Sequence, residues 1–351
     1  MDHLSYDSDG NVVLQPPAPG EGIQIMVDTF AVPYGKEIQG DFYFQLPNDV
    51  PIYVDHIEIA MNKGSHHMNC FKTDLKFQQG QFGDTTPVTK HRMMFTHDGK
   101  IDTVMADKQM SFYVTTVWNN SDMMVEAQVD HLNWNLATLP TDTSTPENLR
   151  GKQTVVRLEP HQNMIIENHY VNADVQTTPN GKGKIYINLY FAKSADIIPA
   201  SMYVGRYVHL QIPPHSTDYA YPKNCVFPVD LPRPIYILGM TGHYHAHGKS
   251  FFVDVVRQKF DEFGQLKGYD SIPVIPKIYV NSTWNEPPFV SYDKPIKLDT
   301  GETLRYTAVF YNPSDTAVNF GGHVLYQEHD NLFAWFVPAW NNGKTVRDDN
   351  D

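Results

Sequence analysis

Short β-prone runs follow one another along almost the whole chain, and no helical period interrupts them for more than about two turns. That alternation of strand and turn limits the fold more than any other feature of the sequence. Strands are expected over 22–32, 41–46, 52–61, 154–158, 164–171 and 184–192. A second series is expected over 202–212, 235–245, 250–258, 277–280, 304–311 and 332–337. Turn signals at 261–264, 299–301 and 312–315 separate several of the later runs. Residues 71–151 read less regularly, with long loops at sheet edges and a short helix near 146–150. A polar break at Lys193-Ser194-Ala195-Asp196 divides the two series. The pattern therefore reads as all-β, with two consecutive jelly-roll-like β-sandwich domains. The boundaries are a loose lead-in over 1–21, a first domain over 22–197 and a second over 198–351.

Composition narrows the function. A net charge of -13 argues against nucleic acid or an anionic membrane surface as partner. No apolar run is long enough to span a membrane as a helix. The first residues, MDHLSYDSDGNVV, have neither the basic flank nor the apolar stretch of a signal peptide. With only Cys70 and Cys225 there is no disulfide framework and no Cys-based zinc site. Metal chemistry in this chain has to rest on His, Met and carboxylates.

Sixteen histidines are available for it. His3, His56, His91, His97, His131, His161, His209 and His215 have no partner at ligand spacing and read as ordinary surface or core residues. In the stretch GHYHAHGK, His243 and His245 share one strand face because side chains two apart point the same way. Two such imidazoles can grip one metal ion, although a lone H-x-H is more often a His-rich strand edge. His66-His67-Met68 follows Gly64-Ser65. Neighbouring strand residues point to opposite faces, so His66 and His67 reach one ion only if the backbone bulges or turns there. His169-Tyr170 closes a strand in the same domain. Gly321-Gly322-His323 and Glu328-His329-Asp330-Asn331-Leu332 precede the last expected strand.

Taken in order, these motifs resemble the copper type II, ascorbate-dependent monooxygenases, the family of peptidylglycine α-hydroxylating monooxygenase and dopamine β-monooxygenase. That family carries HHM, a later H-Y in the same domain, H-x-H followed by G-K, then GG and a ligand just before N-L. The matching residues here are His66-His67-Met68, His169-Tyr170, His243-Tyr244-His245 with Gly248-Lys249, Gly321-Gly322 and His329-Asp330-Asn331-Leu332, spread over residues 22–340. The resemblance implies a pair of jelly-roll-like domains and two copper ions. His66, His67 and His169 would bind one copper, and His243, His245 and His329 a second, catalytic one. It also implies an O₂-dependent hydroxylase acting on a C–H bond of a small organic or peptide-like substrate, with a one-electron reductant such as ascorbate. It suggests a secreted or periplasmic protein, which the cysteine usage does not itself support.

The match departs from the family at informative places. The family has methionine where this chain has His329, and Met240 is the last methionine in the sequence. Imidazole is a harder donor than a thioether, so this second site is expected to favour Cu(II) more than its relatives do. The family's disulfides are missing. The arginine that anchors a substrate carboxylate just before H-x-H is also missing, since that stretch reads Gly239-Met240-Thr241-Gly242, so peptides ending in glycine are poor candidates. Asn331 matches a family position near the substrate, and a strand-edge hydrogen bond is its plainer role. Glu328 and Tyr244 neighbour the second site; Glu328 is expected to orient an imidazole, and Tyr244 to pack on the far strand face. Met123-Met124 reads as core packing. Two alternatives stay open. One is a copper-binding or electron-transfer protein on the same scaffold without hydroxylase activity. The other is a zinc hydrolase with Glu328 as base, although H-E-x-x-H is absent.

Overall fold

The computed structural model describes residues 3–33, 36–74, 90–96, 120–172, 180–322 and 324–348. Its described residues are almost entirely strand and turn. In chain order the strands are β1 (Leu4–Tyr6), β2 (Val12–Leu14), β3 (Gly22–Pro33), β4 (Lys36–Gln45), β5 (Ile52–Met61), β6 (Ser65–Thr73), β7 (Lys90–Thr96), β8 (Ser121–Ala127), β9 (His131–Asn135), β10 (Gln153–Leu158), β11 (Asn163–Asn172) and β12 (Asn180–Phe191). They continue as β13 (Ile197–Pro199), β14 (Ser201–Arg206), β15 (Gln211–Ile212), β16 (Ser216–Asn224), β17 (Ile235–His243), β18 (Gly248–Phe260) and β19 (Leu266–Tyr269). The last are β20 (Ile275–Asn281), β21 (Val290–Leu298), β22 (Glu302–Asn312), β23 (Val318–Asn319), β24 (Asn331–Val337) and β25 (Val346–Asp348). The expected helix at 146–150 is a turn instead, closed by Leu149 N–H donating to Pro146 O at 2.9 Å. Pro140 and Pro146 and the surrounding Thr, Ser and Asp residues favour turns over a helix of useful length.

Two compact units form, residues 1–136 with 155–197 and residues 137–154 with 198–351. The excursion at 137–154 was expected in the first domain. In the first unit, one sheet runs β10-β5-β12-β3 with β9 paired to β5, and the other runs β7-β4-β11-β6-β8. Residues before 22 carry structure of their own, against the expectation of a loose lead-in. Asp7 accepts from the backbone N–H groups of Asp9 (2.9 Å) and Asn11 (2.8 Å), which closes a tight turn. That turn pairs β1 with β2 and lays Val12 and Leu14 against Ala60 and Tyr186. Burying a Val and a Leu is worth about 1.5–3 kcal/mol each as an upper estimate.

The second unit stacks two sheets, β21-β17-β24-β14-β25 and β16-β22-β18-β19, with β20 also on β18. Alternation fills the space between them. Ile235, Ile237 and Met240 of β17 and Leu332, Ala334 and Phe336 of β24 meet Phe251, Val253 and Val255 of β18 and Leu304, Tyr306, Ala308 and Phe310 of β22. These pairs are antiparallel; only β25 joins its neighbour β14 in parallel. The same alternation turns Thr241 and His243 of β17 and Asn331, Phe333 and Trp335 of β24 away from this core, onto the sheet's other face. Both units are thus β-sandwiches, and no helix among the described residues is long and apolar enough to cross a membrane.

Candidate metal centres

In the first unit, β6 and β11 are neighbours, and His67 lies opposite His169. The register then slips, so that Tyr170 faces Ser65 and His66 becomes the extra residue of a bulge. A bulge breaks strand alternation and lets two consecutive side chains reach the same place. The three rings converge accordingly. Ring centroids lie 5.2 Å apart for His66 and His67, 5.3 Å for His66 and His169, and 5.2 Å for His67 and His169. All three side chains are buried.

The turn before the bulge explains Gly64. Its φ is +101°, a conformation that side-chain-bearing residues avoid. A Cβ there would also sit 2.6 Å from the Tyr170 hydroxyl, which itself donates to the Lys63 carbonyl. From the opposite face, Asn168 Nδ2 donates to Ser65 Oγ (2.6 Å) and to the His67 carbonyl (3.1 Å). The motif neighbours His-Tyr and Gly-Ser are thus parts of one brace around the bulge. Gly64→Ala is expected to cost about 2–4 kcal/mol, from backbone strain and the displaced tyrosine, and to weaken metal uptake by the first trio. Thermal unfolding with and without added metal checks both.

One row further along the same sheet face, Asn69 pairs with Glu167 and Glu126. Asn69 Nδ2 donates to Glu167 Oε2 at 2.9 Å. Burial, and then the Glu167 charge, push the Glu126 carboxyl well above the usual range. This buried polar row behind His67 and His169 gave no signal in the sequence, because its members come from three strands.

In the second unit, β17 ends at His243 and the chain turns through His245 towards β18. His243 and His245 rings lie 5.1 Å apart, His243 and His329 5.1 Å, and His245 and His329 4.3 Å. One ring nitrogen from each can be chosen so that all three lie within 4.8 Å of one another. Nε2 of His243, Nε2 of His245 and Nδ1 of His329 are shielded from solvent. His245 Nδ1 lies 3.1 Å from the Gln327 carbonyl. A carbonyl only accepts, so Nδ1 carries the proton and Nε2 presents its lone pair to the other two rings. Phe320 packs on His329 with centroids 4.9 Å apart.

Glu328 holds this loop pair together. Its Oε1 accepts from His245 N–H and from His329 N–H (2.8 Å), and its Oε2 accepts from His247 N–H (3.0 Å). The side chain is completely buried. Burial pushes its carboxyl up to about 8, and the three N–H donors offset that only in part. The expected imidazole-orienting role is therefore corrected: Glu328 fixes main chain, and the Gln327 carbonyl orients the ring. His247, third in the alternating series, stays outside the trio. Its Nδ1 lies 3.0 Å from the Tyr311 carbonyl and its Nε2 3.2 Å from the Leu325 carbonyl, so it ties loops together. Tyr244 packs in the core, stacked on Phe251 at 6.2 Å and 2°. A Cβ on Gly248 would run into the Tyr244 ring, which accounts for the glycine after this His series.

Asn331 lies opposite His243 on β17 and opposite Arg206 on β14, and is buried. Other sequence expectations resolve simply. Met123 and Met124 are buried, and both cysteines are free and buried. His56 bonds Asn133, His131 bonds Glu58, and His161 and His215 pair with Asp49 and Asp315. His97, His323 and the side chain of His91 lie outside the described residues.

The residues fit a copper ion in kind. The second trio offers one imidazole nitrogen from each of buried His243, buried His245 and half-buried His329, all within 4.8 Å of one another, and the first brings together the rings of buried His66, His67 and His169; three nitrogen donors leave a coordination position for a further ligand. Zinc would accept the same donors, so the donor set alone does not choose between the two metals.

No family model and no curated protein matches the chain. Among solved structures it is similar to the major capsid protein P2 from bacteriophage PM2, at 9% identity and a TM-score of 0.36, covering 92% of this chain and 99% of that one. It is also similar to the STIV MCP, at 10% identity and a TM-score of 0.29, covering 91% of this chain and 96% of that one. Likeness this slight carries no argument about what the chain does.

Proposed function

We propose that the chain is a copper-dependent monooxygenase that hydroxylates a C–H bond of a small organic or peptide-like substrate, using O₂ and a one-electron reductant such as ascorbate. One observation carries this reading: six histidines far apart in sequence gather into two trios, one in each unit. The preference for copper over zinc comes from the order of the motifs. On this reading the protein works outside the cytosol, secreted or periplasmic.

Copper held by the trios would supply one-electron chemistry and activation of O₂. The chain's own residues prepare the sites. His245 is fixed in one tautomer by the Gln327 carbonyl. Glu328 locks the backbone of His245, His247 and His329 into one arrangement. Burial of five of the six imidazoles, with His329 half-buried, excludes bulk water from the donors. His329 in place of a thioether favours the second reading, a copper protein on the same scaffold that does not hydroxylate.

Metal analysis and EPR of the purified chain, with O₂ uptake under ascorbate, test the proposal. Two copper ions per chain are expected, falling to one in His169→Ala, with O₂ uptake that rises on adding an organic substrate and yields a hydroxylated product. Copper binding without substrate-dependent uptake favours the second reading. Retention of zinc in place of copper sinks both.

A further inference from the structure

Fourteen large apolar side chains stand well exposed among the described residues, and seven of them lie between Phe260 and Val280. Half of this surface thus comes from 21 of the 351 residues, which scattered exposure does not produce. Phe263 and Ile272 lead it, at 79% and 80% exposed. The register brings the seven together. β19 pairs with the end of β18, Asp270 N–H donates to Arg257 O (2.8 Å), Val274 N–H donates to Val255 O (2.7 Å), and β20 pairs with residues 251–255 of β18. Residues 266–281 therefore run as one border along β18, and no described strand pairs with its outer side. An open border of this kind invites strand addition. Here Pro273 and Pro276 have no N–H to give, and Gly268 (φ +146°) and Lys277 (φ +50°) interrupt the extended backbone. What the border offers a partner is its side chains.

Charge selects the partner. Residues 254–280 carry four basic side chains, Arg257, Lys259, Lys267 and Lys277, and four acidic ones, Asp254, Asp261, Glu262 and Asp270, so the region is neutral in a chain of net charge -13. Lys259 is paired with Asp270 at 3.0 Å, Lys267 with Asp261 at 3.1 Å and Arg257 with Glu302 at 3.3 Å. An anionic surface needs a basic face to meet it, and a basic partner needs an acidic one; this face is neither. Two copies of so acidic a chain repel one another, and a neutral apolar face is where that repulsion is least. Size agrees with this occupant. The seven side chains present roughly 700–800 Å², close to the share of about 800 Å² that each partner gives to a stable interface.

Shape agrees as well. Phe263 stands at the tip of the turn between β18 and β19, and a groove of about 390 Å³ opens between Arg257 and residues 270–274, walled by Ile272, Pro273 and Val274. A two-fold axis presents each knob to the groove of the other copy. We infer that this border of the second unit is a homodimer interface, in which Phe263 of one copy seats in the groove beside Ile272 of the other. The histidine trios take no part in it.

Sedimentation velocity of the full chain from about 1 to 100 µM tests the interface. Wild type is expected to pass from monomer to dimer over this range, and to dimerise as strongly in about 1 M salt as in about 0.1 M, because no net charge is matched across the contact. Phe263→Ser and Ile272→Asp should each weaken dimerisation at least tenfold, since each change is present twice across the axis. Both side chains are exposed in the single chain, so the melting temperatures of these variants should stay at the wild-type value. Val229→Asp adds the same charge at a fully exposed position outside the border and should leave the dimer intact. A wild-type chain that is monomeric at 100 µM overturns the inference. So does a dimer that survives both Phe263→Ser and Ile272→Asp, or one that Val229→Asp disrupts equally. A monomer that floats with phosphatidylcholine vesicles gives the face to lipid instead.

Discussion

Glu328→Ala should unfold the second site and destabilise the chain more than any other single truncation near it. Three backbone N–H groups, from His245, His247 and His329, point at this one buried carboxylate. Each buried donor left without an acceptor costs about 1–3 kcal/mol, so the loss is roughly 3–9 kcal/mol before relaxation. Glu328→Gln keeps the shape and one carbonyl oxygen. That oxygen can still serve two of the N–H groups, while the new NH₂ confronts the third, so about 2–3 kcal/mol is expected. The pH dependence carries a sign. The folded carboxyl is raised to about 8 from 4.5, so the fold holds its proton more tightly than the unfolded chain does. The contribution is complete below pH 4.5 and is given up as pH rises from there through about 8. Metal-free wild type should therefore lose stability across that window, with Glu328→Gln showing a shallower slope. Loading the trio with a cation works against the raised value and should flatten the wild-type slope as well. Denaturant melts of both proteins at pH 5.5 and 8, with and without metal, read all of this. Equal slopes in the two metal-free proteins would mean that Glu328 is ionised throughout.

Much of the architecture follows from local chemistry that a sequence displays. β5 runs over the expected residues 52–61, and β11 and β24 differ from expectation by a single residue at their ends. Apolar, β-branched and aromatic runs bounded by turns specify such strands directly. β6 was not expected as a strand because its run, Ser65-His66-His67-Met68-Asn69-Cys70, alternates poorly and is rich in polar residues. It is buried on both faces, so no polar face marks it. β16 and β21 escaped notice for related reasons: Pro222 and Pro295 sit inside them, and charged residues cover their exposed faces.

The sites divide in the same way. The need for a bulge at His66–His67 could be argued from strand alternation and the preceding glycine, and the slipped register between β6 and β11 supplies it. The gathering of His329 with His243 and His245 was expected only through motif order, since nothing local ties residues more than eighty positions apart. Glu328 could be singled out as a neighbour, but its partners are main-chain N–H groups that exist only once two distant loops meet. The Asn331–His243 pairing depends wholly on register, which turn types and facing side chains set jointly. Long-range register is the part of a β fold that single-strand patterns leave open. The polar row of Asn69, Glu167 and Glu126 behind the first trio belongs to it.

His329→Met is expected to make the second site markedly easier to reduce. The wild-type trio supplies three imidazoles, with His329 4.3 Å from His245 and 5.1 Å from His243 between ring centroids. Replacing one with a thioether exchanges a harder donor for a soft one, which favours the lower oxidation state of copper. The surroundings accommodate the change. Phe320 packs on the ring at 4.9 Å and can contact sulfur equally well. The main chain at 329 stays clamped, because Glu328 holds its N–H and not its side chain. The donor atom should change with little movement of the loop, and the midpoint potential should rise by more than about 60 mV, a tenfold shift in a one-electron equilibrium. Cu(II) EPR of the variant should lose nitrogen character at one of two sites while the first trio's signal stays put. A redox titration following each signal measures the shift. If both proteins reduce at the same potential, the ring of His329 is not a donor, and the second site is a two-histidine site with its third position open.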